Sequence, residues 1–79
     1  MSTLDKLKEI YQSIMPDSEI NLDLVNEKSL IMEDLGLNSI GVLYLVLAIE
    51  EEFNITMHNS SIESFKTMGD VISYIEENI

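Results

Sequence analysis

The chain has 79 residues, 46% of them apolar, and sets fifteen Asp and Glu against four Lys and no Arg for a net charge of −11. That length holds one hydrophobic core, so a single domain over residues 1–79 is expected, and the absence of Cys excludes disulfides and thiolate metal sites. The longest apolar run, Ile40 to Ile49, is far short of the roughly 20 residues a bilayer-spanning helix needs, and so acidic a chain is a poor match for nucleic-acid phosphates or anionic membranes.

From the N-terminus, Leu4, Leu7, Tyr11 and Ile14 recur at helical spacing, with Asp5, Lys6, Lys8, Glu9 and Gln12 opposite. Ser2 followed by Asp5 resembles a capping box, with Thr3 as the alternative cap. Pro16 cannot continue the hydrogen-bond ladder, so a first helix over residues 3–15 is expected. Nothing in this opening stretch has the apolar centre of a secretory signal, which points to a cytoplasmic protein.

Residues 16–38 carry scattered apolar side chains without a sustained period. The expectation is a long loop stitched to the core by those residues, with a short helical turn around Ser29–Glu33 and a turn at Gly36.

A second helix should begin at Asn38 or Ser39, both good N-caps, and run to about Phe53. Its apolar residues form two adjoining stripes: Val42, Val46, Ile49 and Phe53, then Ile40, Leu43, Tyr44 and Leu47. A helix apolar almost all round is either central or has a face waiting for a partner. Glu50, Glu51 and Glu52 crowd its last turn, where the helix dipole disfavours anions, which suggests another use for those charges. Asn54 suits a left-handed exit. A short helical turn from Ser60 or Ser61 through Ser64 follows, and Thr67 with Asp70 forms a second capping box before a last helix over residues 68–78. The fold class expected is therefore all-α: three main helices and one short third helix in a small four-helix bundle, with a long loop between the first two helices.

No residues present themselves as catalytic. His58 is the single histidine and lies among loop residues, without the partners that nucleophilic catalysis requires. The adjacent glutamates fan around their helix instead of converging, and Asp17–Lys28 lacks the glycine and terminal glutamate of a calcium loop, so no dedicated metal site is expected. Ser39 stands apart. It opens the central helix after the turn Gly36-Leu37-Asn38, where a phosphate ester would meet free backbone amides. From spacing alone, a plain helix cap is the better explanation of it.

The run Glu33-Asp34-Leu35-Gly36-Leu37-Asn38-Ser39-Ile40, followed by Leu45 to Ile49 and then Glu50-Glu51-Glu52-Phe53, resembles the acyl carrier protein family. The likeness extends over the whole chain in length, acidity and helix order. It implies that a phosphopantetheinyl transferase, with bound Mg²⁺, moves 4′-phosphopantetheine from coenzyme A onto Ser39. The arm's thiol then carries acyl groups as thioesters, and the protein presents them without being a catalyst itself. The partners implied are acyl-loading, ketosynthase or acyltransferase-type enzymes, and the carrier acts as a monomer.

Two departures from the family pattern bear on partner choice. Asn38 replaces the usual Asp before the serine, and Ile40 replaces Leu. Gly41 and Tyr44 stand where the family usually carries acids. The outward face of the second helix would then comprise Asn38, Ile40, Gly41, Leu43, Tyr44 and Leu47, ending at Glu50 and Glu51. It suits docking surfaces that are basic or mixed apolar and basic, unless Tyr44 and Leu47 pack under the long loop. The lack of early acids points to a carrier for a specialised pathway. A carrier of aminoacyl or peptidyl groups and an unmodified helical adaptor remain as alternatives, the former disfavoured by the charge.

Overall fold

In the computed structural model, which describes residues 2–79, each long helix starts at a side chain the sequence marks as a cap. Helix α1 spans Thr3–Ile14. The Ser2 hydroxyl accepts from the Asp5 amide at 3.1 Å, and the Asp5 carboxylate accepts from the Ser2 amide at 3.3 Å. Met15, expected inside the helix, is its C-cap instead: its amide donates to Tyr11 O at 2.9 Å, and Pro16 prevents a further turn. Leu7, Ile10 and Tyr11 are buried.

The connection from residue 15 to 38 is pinned by buried Val25, Ile31, Leu35 and Leu37, as the scattered apolar pattern suggests. It holds a short helix that was not expected as well as the turn that was. A 3-10 turn occupies Leu22–Leu24, capped by the Asn21 side chain accepting from the Asp23 amide at 3.0 Å. The expected helical turn around Ser29–Glu33 is present, displaced by about one residue. There Asp34 N donates to Leu30 O at 2.9 Å while the Asp34 carboxylate accepts from Leu30 N at 2.7 Å. So short an arrangement is fixed by side-chain-to-backbone bonds and leaves no periodic trace.

Helix α2 spans Ser39–Phe53, α3 spans Asn59–Ser64 and α4 spans Met68–Asn78. Asn54 leaves α2 in the left-handed conformation with φ 55°. Helix α3 begins one or two residues before the expected serines, with His58 at its N-cap position and no side-chain cap bond. Thr67 and Asp70 form the capping box of α4. The described residues thus make an all-α bundle in which α1 packs on both α2 and α4.

The long connection is also tied to the start of α4. Met68 N donates to Ser29 O at 3.0 Å and Gly69 N to Glu27 O at 2.8 Å, while Ile31 N donates to Lys66 O at 3.0 Å. The first amides of a helix have no partner within it; here two of them hold the loop. No helix among the described residues is long and apolar enough to cross a membrane.

Candidate functional site

The site is built by four residues in a row. Gly36 adopts φ +70°, a backbone conformation that costs glycine nothing. A Cβ there would find its nearest neighbour, Ile20 Cδ1, at 3.8 Å, so the demand for glycine is conformational and not one of space. Leu37 is then driven into the core. Asn38 follows in extended conformation and caps α2, its Oδ1 accepting from Gly41 N at 2.8 Å while its carbonyl accepts from Val42 N at 2.9 Å.

Asn38 therefore takes the capping role that the sequence left open between it and Ser39. Ser39 becomes the first helical residue, solvent-exposed, and its hydroxyl has no hydrogen-bond partner among the described residues. Its own amide and that of Ile40 belong to the first turn, where helices leave N–H groups unpaired. A free hydroxyl beside free amides at the positive end of a helix dipole fits the attachment of a phosphate-bearing group. The anchoring side chain, Leu37, is one of the scattered apolar residues expected to stitch the long loop to the core, and it is buried as expected.

Ile40, Leu43, Tyr44 and Leu47 are each more than half exposed, so Tyr44 and Leu47 do not pack beneath the long loop. Gly41 is half-buried, and a Cβ on it would stand 3.0 Å from Leu37 Cδ2, so its smallness makes room for Leu37. Glu51 is exposed. Glu50 is half-buried, and its Oε2 accepts from Met57 N at 3.0 Å, tying the end of α2 to the segment before α3. That bond is a structural use for one of the glutamates at the disfavoured end of the helix. Nearby, the Lys6 ammonium lies 5.5 Å from the centre of the Phe53 ring, within cation–π range. His58 is exposed, apart from any acid–base pair.

A family model described as "Phosphopantetheine attachment site" matches residues 5–75. The chain is 40% identical to the acyl carrier protein of Wolinella succinogenes over 78 residues, 99% of each chain. It is 39% identical to that of Clostridium perfringens over 74 residues, 94% of this chain and 93% of the relative. A solved structure of the acyl carrier protein from Enterococcus faecalis superposes with a TM-score of 0.76 over the full length of both chains, at 29% identity. The chain therefore belongs to the acyl carrier protein family, whose members bear covalently attached 4′-phosphopantetheine.

Proposed function

We propose that Ser39 is the attachment residue and that the protein is a non-catalytic carrier of acyl groups for partner biosynthetic enzymes. The observation that carries this reading is the exposed Ser39 hydroxyl, relieved of capping by Asn38. When bound, 4′-phosphopantetheine supplies a terminal thiol that holds acyl groups as thioesters. The chain's own part is to present the hydroxyl to a phosphopantetheinyl transferase, to surround the resulting phosphate with first-turn amides, and to offer α2 to partners. Relatives named acyl carrier protein favour acyl cargo over aminoacyl or peptidyl cargo.

Intact mass after incubation with coenzyme A and a broad-specificity transferase tests the assignment. A gain of one phosphopantetheine that disappears in Ser39→Ala is expected. A gain that survives in Ser39→Ala overturns it.

The partner face is proposed to comprise Ile40, Leu43, Tyr44 and Leu47, bordered by Asn38, Gly41 and the Glu50–Glu51 end. Its apolar centre suits a partner surface that is apolar in the middle and basic at the rim, because no Lys lies between positions 29 and 65. This supports a carrier dedicated to a specialised pathway in the cytoplasm. Efficient turnover of the malonyl-loaded protein by general fatty-acid synthesis enzymes would count against that dedication.

A further inference from the structure

The backbone that leads from the long connection into α2 is thinly held. Leu35 N donates to Leu30 O at 3.2 Å, and the next backbone–backbone bond along the chain among the described residues is Val42 N to Asn38 O at 2.9 Å. Neither Gly36 nor Leu37 takes part in one. The Leu37 side chain is buried, but apolar burial is non-directional and does not set the angle at which the chain enters the helix. The Leu35 carbonyl is therefore the last aimed backbone group before the Asn38 cap.

One side chain receives that carbonyl. Tyr11 OH donates to Leu35 O at 2.7 Å and lies 2.8 Å from Ser18 Oγ. The phenol has a single proton, committed to Leu35 O, so Ser18 is the donor in the second contact. Ser18 Oγ in turn accepts from Ile20 N at 3.2 Å. The bonds run in series from the Ile20 amide to the Leu35 carbonyl, and bonds in series inside a protein polarise one another. Tyr11 is itself a firm origin for the series, being buried in the last turn of α1.

We propose that Tyr11 is a positioning residue for the modification of Ser39: its hydroxyl, acting through Leu35, holds the head of α2 in the pose in which the serine reaches a transferase's coenzyme A. The inference rests on the carrier reading of Ser39. In that reaction the Ser39 oxygen bonds to the pantetheine-bearing phosphorus of coenzyme A, and the bond from that phosphorus to the bridging oxygen breaks. Adenosine bisphosphate leaves, and the hydroxyl proton passes to the transferase. Tyr11 touches none of these atoms; it governs how often the hydroxyl is correctly placed. When only a fraction of molecules holds the competent pose, apparent affinity falls by that fraction. The effect therefore belongs in KM and is overcome by saturating the transferase with the chain.

The test compares Tyr11→Phe with Tyr74→Phe. Tyr74 OH donates to the Thr56 carbonyl at 2.8 Å, so the second variant deletes the same kind of bond. It does so beyond the far end of α2, a helix of 15 residues and thus about 22 Å long. Unmodified chain, coenzyme A and a broad-specificity transferase are combined under conditions where urea titration shows every variant folded, and mass gain is followed against chain concentration. Tyr11→Phe should raise KM for the chain about three- to tenfold with kcat unchanged, as a fall of the competent fraction by that factor requires. Tyr74→Phe should match the wild type. In amide-resolved NMR of the unmodified chain, Gly36 and Leu37 should show exchange broadening in Tyr11→Phe alone. An unchanged KM, a fall confined to kcat, an equal rise in both variants, or unbroadened Gly36 and Leu37 signals overturn the assignment and leave the carrier reading intact. No mass gain on the wild-type chain overturns both.

Discussion

The Tyr11 hydroxyl donates to the Leu35 carbonyl at 2.7 Å, and Ser18 Oγ lies 2.8 Å from the same phenol oxygen. Tyr11 is 2% exposed, so a residue in the last turn of α1 holds the turn that leads directly into Gly36-Leu37-Asn38-Ser39. Replacing Tyr11 with Phe leaves the Leu35 carbonyl buried without this donor. A loss of about 1–3 kcal/mol in unfolding free energy is expected, the usual penalty for an unsatisfied buried group. Urea titration checks it, and an unchanged midpoint would show that water replaces the phenol.

Gly69→Ala should destabilise the protein although alanine favours helices. The new Cβ would stand 3.0 Å from the Glu27 carbonyl oxygen, which is backbone and already accepts from Gly69 N. The propensity gain is at most about 1 kcal/mol, whereas crowding of this kind costs about 1–3 kcal/mol. A lower melting temperature is the expected outcome, and a higher one would mean that the loop yields.

Glu50→Ala removes the acceptor for Met57 N and should cost about 0.5–1.5 kcal/mol. Glu50→Gln keeps an acceptor oxygen and, since both variants remove the same one of eleven excess negative charges, should lose less. If both variants match the wild type in thermal unfolding, the bond contributes nothing to stability.

Asn38→Ala should weaken the α2 cap by about 1 kcal/mol. Asn38→Asp keeps the cap and restores the residue the family usually carries before its serine. The expected result is near-wild-type stability with faster modification of Ser39 by a general phosphopantetheinyl transferase, measured as the rate of mass gain.

Acid should act on stability in two opposed stages. From neutral pH downward, protonation relieves the repulsion of an excess of eleven negative charges and stability rises. Asp5 is held below its usual 3.8 chiefly by the Ser2 amide, and Asp70 chiefly by the Lys66 and Thr67 amides. Because these folded-state values are depressed, their contribution is fully present above 3.8 and fades as pH falls through the lower folded values. Combining Asp5→Asn with Asp70→Asn should shrink the decline on the acid side. Melting temperatures over roughly pH 2 to 5 test this, and an unaltered acid limb would place the loss on other carboxylates.

The helices are legible in the sequence because their determinants are local. Ser2 with Asp5 and Thr67 with Asp70 each close a capping box within four residues, and Pro16 stops α1 by its own chemistry. The position of Ser39 at the head of α2 is legible for the same reason. What the sequence does not disclose is the order within residues 16–38. Its fixed points are bonds between distant residues, such as Tyr11 to Leu35 and Met68 N to Ser29 O, and no window of sequence contains both partners. Asn38 and Ser39 are indistinguishable as caps by residue type; the carboxamide contact to Gly41 N decides between them.

The clasp between the loop carbonyls of Glu27 and Ser29 and the leading amides of α4 joins the two halves of the chain into one cooperative unit. Opening of the first turn of α4 would therefore be transmitted to the pedestal beneath Ser39, far from it in sequence. In hydrogen exchange, Met68 and Gly69 would then report on the integrity of that pedestal, opening in step with Ile31 and not with the tail residues beside Ile79.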